Sequence, residues 1–357
     1  EGTRPFLTML RVLKFGGSSV GNADAFKSVG KILKHYKRNE AVVSVFSAMM
    51  SVTNRLISAS EAAARGDMKQ ATTTKNFLFN LHCQTVKDLN LDPIDHMDLM
   101  GWLELSMDDL MALCERVADL GLCTGQQRDY ISSLGERWST AIMAKYLRKL
   151  DIPSAYVLAS DILVTDSVAG GATPDLELTK QAALERLVPL LQEGILPCVT
   201  GFIGADQSQN ITTLGRGGSD LSASVLGAVL DADEVTMYKV ESQAAEDGTL
   251  VAWKPGWIGI IPKGSSPDET IPLMSYVEAT QLKKVLHPST CYPLMDKEIP
   301  LRVANTLEFL HPGTLIGNSK PAYEWQTFAP SQPAVGVQWS AKASMRAFST
   351  ARFGSIT

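Results

Sequence analysis

From residue 11 onward, short apolar runs rich in β-branched residues alternate with longer amphipathic stretches. Runs at 11–15, 41–46, 154–158, 195–199 and 234–239 are each brief and are followed by turn residues or a new helix. Strands that are separated by helix-length connections pair in parallel, because a parallel crossover needs a long return path. The spacing therefore predicts an α/β fold with a mainly parallel sheet. Between residues 52 and 150 the apolar period is helical, with Leu56, Leu78, Leu81, Met111 and Val117 among its positions, so a helical insertion is expected there. After Val285, prolines 288, 293, 300 and 312 punctuate the chain around strand candidates at 301–303 and 313–316, which suggests a smaller second lobe.

Composition narrows the function classes. With 357 residues and 45% hydrophobic content, the chain has enough material for one large domain or two lobes. Its 33 basic and 38 acidic residues are dispersed without runs, which argues against a nucleic-acid partner or an anionic membrane surface. No apolar stretch reaches the roughly 20 residues of a membrane span. Five scattered cysteines, Cys83, Cys114, Cys123, Cys198 and Cys291, read as reduced thiols and fit a cytoplasmic compartment. Residues 1–9 carry no targeting pattern and read as a tag remnant or disordered start.

Three segments have the makings of anion sites. Leu13-Lys14-Phe15-Gly16-Gly17-Ser18-Ser19-Val20 is a strand ending in two glycines ahead of a helix near Ala23. Glycines let backbone N–H groups approach a phosphate, the helix start adds a positive dipole end, and Lys14 adds a full charge. A tight turn explains the same letters equally well. Residues 47–54, Ser-Ala-Met-Met-Ser-Val-Thr-Asn, also follow a strand and open a helix. Helix capping alone accounts for such hydroxyls. Thr212-Thr213-Leu214-Gly215-Arg216-Gly217-Gly218-Ser219-Asp220 is harder to read as a mere turn, because it joins a flexible cradle to a guanidinium that can grip a carboxylate. A fourth segment, Ser133-Leu134-Gly135-Glu136-Arg137, is expected to begin a helix, with Glu136 either serving the helix dipole or accepting an ammonium. Ligands of open α/β sheets gather at the carboxyl ends of the strands. A phosphate cradle, an arginine for a carboxylate and a glutamate for an ammonium together suit the phosphorylation of an amino acid. The five histidines have no metal-ligand spacing, and His287 and His311 read as ordinary loop residues.

With these motifs in view, the chain resembles the aspartate kinases of the amino acid kinase family over about residues 10–317. The resemblance is carried by Lys14 to Val20, the 47–54 segment, Gly135-Glu136-Arg137, Gly201-Phe202-Ile203-Gly204, the 212–220 motif, Lys284-Val285-Leu286-His287-Pro288 and Pro312-Gly313-Thr314-Leu315-Ile316. It implies a three-layer α/β/α sandwich and ATP-dependent, Mg²⁺-assisted phosphorylation of the L-aspartate side chain, the first step toward lysine, threonine and methionine. It implies further that Lys14 and Asp220 are catalytic, and that Ser47, Thr53, Glu136, Phe202 and Arg216 hold the amino acid. Gly16, Gly17, Ser18, Gly217, Gly218, Ser219, Lys239 and Lys284 would serve the nucleotide and its phosphates. On this reading residues 10–233 form the amino-acid and phosphate lobe, and 234–318 the nucleotide lobe. Residues 319–357 form a tail in which 334–339 reads as the first strand of an ACT-like segment. A homodimer is left open.

The chain also departs from the family. After the strand at 234–239 the family has a Thr-Asp-Val-Asp-Gly segment that shapes the adenine site, whereas here Lys239-Val240-Glu241-Ser242-Gln243-Ala244 stands. Trp253 and Trp257 follow, and read as packing residues or a base-stacking pair. Ser51 occupies the family's usual glycine position before Val-Thr-Asn, and Lys283 replaces a small residue. These departures keep two alternatives in play: a relative using another carboxylate or nucleotide, and a silent amino-acid-binding homologue.

Overall fold

In the computed structural model of the protein, the described residues are 9–239, 270–280 and 286–317. Lys284, the 240–248 replacement segment, Trp253, Trp257 and the 334–339 strand candidate lie outside them. The elements run β1 (Leu10–Phe15), α1 (Ala23–Tyr36), β2 (Ala41–Phe46), α2 (Val52–Ala64), α3 (Met68–Leu89), α4 (Pro93–Leu120), α5 (Gly125–Lys149) and β3 (Ser154–Val157). Then follow α6 (Leu176–Gln192), β4 (Leu196–Thr200), β5 (Ile203–Ala205), β6 (Ile211–Thr213), α7 (Gly218–Val229) and β7 (Glu234–Lys239). The remainder is β8 (Leu273–Met274), α8 (Tyr276–Thr280), α9 (Tyr292–Met295), β9 (Leu301–Asn305) and β10 (Thr314–Ile316).

Eight strands form one sheet in the order β3-β4-β2-β1-β7-β9-β10-β8, and only the β9–β10 pairing is antiparallel. Strands β9 and β10, in the region expected to form a smaller second lobe, lie in the same sheet as β1 and β7. Because β1 is buried on both faces, its alternation divides side chains between two cores. Leu13 and Phe15 join the core of α1 to α5, while Leu10 and Val12 join that of α6 and α7. The result is a three-layer α/β/α sandwich. By the same period of two, Lys14 emerges on the α7 face.

Both ends of the central strands are pinned. At the carboxyl end Phe15 stacks on its register neighbours Phe46 and Tyr238, with ring centroids 5.5 and 5.1 Å apart. At the amino end Glu234 is held by Arg11, its register neighbour, and by Arg302 at 2.8 Å. Burial opposes ionisation of Glu234, but the two guanidinium groups outweigh it and hold its carboxyl below the usual range. A one-residue slip of β1 or β9 would separate these charges inside the sheet, so the cluster fixes the register.

The helical insertion contains a buried titratable group. His82 of α3 is fully buried, with Nδ1 2.7 Å from the Leu78 carbonyl and its ring edge-on to Trp138. Burial pushes its pKa down to about 4. The unfolded chain takes up a proton near pH 6.5 and the folded one only near 4, so stability is retained above 6.5 and falls as pH drops through that window. Urea denaturation at pH 7 and pH 5 should show a loss attributable to His82 of about 2 kcal/mol. In His82→Met this component of the pH dependence should be absent.

Candidate active site

The site is assembled at the carboxyl ends of β1, β2, β4 and β7, where the chain turns out of the sheet. The backbone links these turns: Ser47 N–H donates to the Phe15 carbonyl at 3.0 Å, Gly201 N–H to Phe46 at 2.8 Å and Gly16 N–H to Tyr238 at 3.3 Å. After β1 the chain enters a 3-10 turn, Gly17–Val20, that contains Ser18. Ser19 Oγ lies 2.7 Å from Thr306 Oγ1 beyond β9, so the turn is tied to both β7 and β9. A Cβ on Gly17 would stand 2.9 Å from the Ala48 carbonyl oxygen, which explains why only glycine lets the turns after β1 and β2 lie so close.

Lys14, Asp220 and Lys239 form one ionic cluster. Lys14 Nζ is 2.6 Å from Asp220 Oδ1, and Lys239 Nζ is 3.1 Å from Oδ2. Asp220 stands in the first turn of α7 and is buried with Lys14. Burial resists its ionisation, yet the two ammonium groups hold its carboxyl far below the ordinary range. Burial pulls the Lys14 pKa down, Asp220 opposes that shift, and Lys239 reinforces it. Gly16 leaves room above this cluster, since a Cβ there would lie 3.4 Å from Lys14 Nζ.

Beside the cluster is a cleft of about 290 Å³ lined by Gly17, residues 47–51, Thr53, Asn54 and Glu136. Glu136 does not sit in a first helical turn as expected. Helix α5 starts at Gly125 behind a Thr124–Gln127 capping box, which places Glu136 mid-helix and 3% exposed. Gly135 brings it there, because a Cβ on that residue would come within 2.7 Å of Ala48 Cβ. Oε2 of Glu136 has no hydrogen-bond partner among the described residues. Burial pushes its pKa up to about 8, against the opposing influence of the Ala48 amide and Lys14.

The 214–217 loop and the first turn of α7 close this side of the site. Asp129 accepts hydrogen bonds from the Gly170 and Thr213 amides and the Thr213 hydroxyl, at 2.9–3.1 Å, and so anchors the end of β6. Phe202 adopts φ 69° and is held by Ser222 Oγ at its amide and by Leu214 N–H at its carbonyl. A Cβ on Gly218 would strike the Phe202 ring at 2.6 Å, one on Gly217 would strike His287 at 2.7 Å, and one on Gly201 would strike Ser219 at 2.7 Å. Arg216 is exposed and has no ion-pair partner among the described residues. Gly17, Ser47, Thr53 and Glu136 thus share one cleft, with Gly16, Lys14, Asp220 and Lys239 beside it. Phe202 between β4 and β5, Arg216 and Gly217 before α7, and Gly218 and Ser219 at its start adjoin the cleft's α7 side and are not among the residues that line it. Ala48, Met49, Met50 and Asn54 were read only as part of the hydroxyl-rich 47–54 run, and Ser51 as a departure at a glycine position, without a place among the site residues.

A comparison with protein families matches residues 9–241 to the model for the amino acid kinase family. The chain belongs to the amino acid kinase family. Among relatives within it, aspartokinase 1 (chloroplastic) of Arabidopsis thaliana is 33% identical over 320 residues, covering 87% of this chain and 52% of that protein. Lysine-sensitive aspartokinase 3 of Escherichia coli K12 is 28% identical over 314 residues, covering 86% of this chain and 64% of that protein. The structure of E. coli aspartokinase III in complex with aspartate and ADP superposes with a TM-score of 0.74 at 26% identity, covering 87% of this chain and 65% of that one. The chain spans about half the length of aspartokinases 1, 2 and 3 of Arabidopsis thaliana.

The ionic cluster yields a stability prediction. Asp220→Asn leaves two ammonium groups around a neutral amide in a buried setting, and breaking a buried pair in this way costs about 3–5 kcal/mol. Chemical denaturation of this variant against the wild type should register a loss of that order.

Proposed function

We propose that the chain catalyses ATP-dependent phosphorylation of the side-chain carboxylate of L-aspartate, giving 4-phospho-L-aspartate and ADP. The observation that carries this reading is the adjacency of two unlike features. One is the Lys14–Asp220–Lys239 cluster, and the other is a cleft whose wall holds a buried carboxylate oxygen with no hydrogen-bond partner among the described residues. An amino acid's ammonium satisfies that oxygen, and the cluster stands where a transferring phosphoryl group needs positive charge. The similarity to an aspartokinase structure containing aspartate and ADP supports the choice of acceptor and donor.

The chemistry needs no covalent enzyme intermediate. A carboxylate is already ionised at neutral pH and attacks the γ-phosphorus directly, with ADP as the leaving group. Catalysis is positioning plus charge neutralisation. Lys14 is presented to the phosphoryl oxygens by Asp220, which keeps the lysine charged against its burial. Gly16 and Gly17 leave the backbone of the turn open to phosphate, Arg216 takes a substrate carboxylate, and Glu136 takes the ammonium. No cluster of three acidic, histidine or cysteine ligands occurs among the described residues, and both Asp220 oxygens face lysines. These residues do not fit a resident metal cage, so Mg²⁺ is assigned to the incoming nucleotide, where it neutralises phosphate charge. Among the described residues no helix is long and apolar enough to cross a membrane.

Coupled ADP-release assays should show turnover that requires aspartate and falls about 10²–10³-fold or more in Lys14→Met. ADP release that is indifferent to aspartate would refute the reading. The pH dependence has a defined sign. Free Glu136 is largely protonated at pH 7, because its pKa stands at about 8, and only its ionised form pairs with an ammonium. The KM for aspartate should therefore rise as pH falls from 8 to 6, by up to about tenfold per unit. Glu136→Gln should bind aspartate weakly and lose this pH dependence.

A further inference from the structure

Ser51 lacks the usual reasons for a serine at a helix start. It is the N-cap of α2 with φ 67° and ψ −2°, a left-handed conformation that glycine adopts freely and other L-residues avoid. Serine normally stands at an N-cap because its hydroxyl accepts from an amide of the first turn. Here the side chain makes no capping bond. The residue is exposed, so packing does not explain it either. What it does is line the cleft together with Ser47, Thr53, Asn54 and Glu136.

The cleft has two chemical poles. At one, the buried Glu136 Oε2 has no partner among the described residues and calls for a cation. At the other, the Val52 amide is taken by the Met49 carbonyl, while the Thr53 and Asn54 amides of the first turn of α2 have no intrahelical acceptor and favour an anion. A ligand with both an ammonium and a carboxylate spans such a cleft. We propose that the Ser51 hydroxyl donates a hydrogen bond to a carboxylate of the amino acid acceptor at the N-terminus of α2, and that its left-handed backbone aims it there. Ser51 is then a specificity-determining residue of the acceptor site. This inference rests on the acceptor reading given above. The strain is tolerated because the turn is held from several sides, by Ser47 N–H on Phe15, by Ser139 Oγ on the Ser47 carbonyl at 2.6 Å, and by Val52 N–H on Met49 at 3.0 Å.

The test compares wild type, Ser51→Ala and Ser51→Gly by isothermal titration with L-aspartate and by steady-state kinetics. Alanine keeps the strained backbone and removes the hydroxyl, while glycine removes both. Both variants should bind aspartate about tenfold or more weakly, the effect of losing a hydrogen bond to a charged group. The KM for ATP should be unchanged in both. Ser51→Gly should melt about 1–3 °C above Ser51→Ala, because only glycine relieves the backbone. If Ser51→Ala, or Ser51→Gly where the alanine variant does not fold, binds aspartate within twofold of a wild type that binds and turns it over, this inference is overturned and the kinase reading stands. If the wild type neither binds nor turns over aspartate, the kinase reading falls and this inference falls with it.

Discussion

Asp220 draws two lysines from neighbouring parallel strands onto the first turn of α7, and the geometry of the site follows from that contact. Lys14 comes from the end of β1 and Lys239 from the end of β7, which are adjacent in the sheet. A lysine this deeply buried would shed its proton without a carboxylate close by. The pair is therefore a condition for having positive charge at this place at all. Its position depends on the sheet register, which the stacked Phe46, Phe15 and Tyr238 rings fix at one end and the Arg11–Glu234–Arg302 cluster at the other.

The second constraint is the close approach of α5 to the turn after β2. Gly135 permits it, since any larger side chain would meet Ala48, and Glu136 is thereby delivered to the cleft wall. Charge cluster and cleft are thus brought together by different means, one by ionic attraction across strands and the other by a glycine contact between helix and loop. Gly17 joins them, because its backbone lies against Ala48 and it also lines the cleft.

Much of this was readable from sequence wherever the determinant was local. The strands at 41–46 and 234–239 have the predicted bounds, because the first is apolar but for Ser44 and the second sets Val235, Met237 and Tyr238 among β-compatible neighbours in a short run. Lys14, Gly16, Gly17 and Asp220 were singled out because glycine and charge at short spacing suit an anion-binding turn, and the fold brings them to one edge of the sheet. Glu136 was singled out but placed wrongly in its helix. Gly135 looked like a helix start, whereas it is an interior glycine whose reason is packing against a loop about 90 residues earlier. The Arg11–Glu234 pair lies 223 residues apart in sequence and leaves no local trace. Strands β5, β6 and β8, of three, three and two residues, are too short for periodicity to detect. His287 read as an ordinary loop residue, yet its side chain abuts Gly217 in the loop before α7, a contact that only the fold creates.

The central claim is that a carboxylate held beside Lys14 receives the phosphoryl group of ATP, and the nature of the product tests it most directly. An acyl phosphate reacts rapidly with hydroxylamine, whereas the parent carboxylate does not. Incubation of the protein with ATP, Mg²⁺, L-aspartate and hydroxylamine, followed by mass spectrometry, should yield aspartate 4-hydroxamate in amounts equal to the ADP released. ADP release with no hydroxamate, or hydroxamate formed equally well in the Lys14→Met variant, would contradict the account.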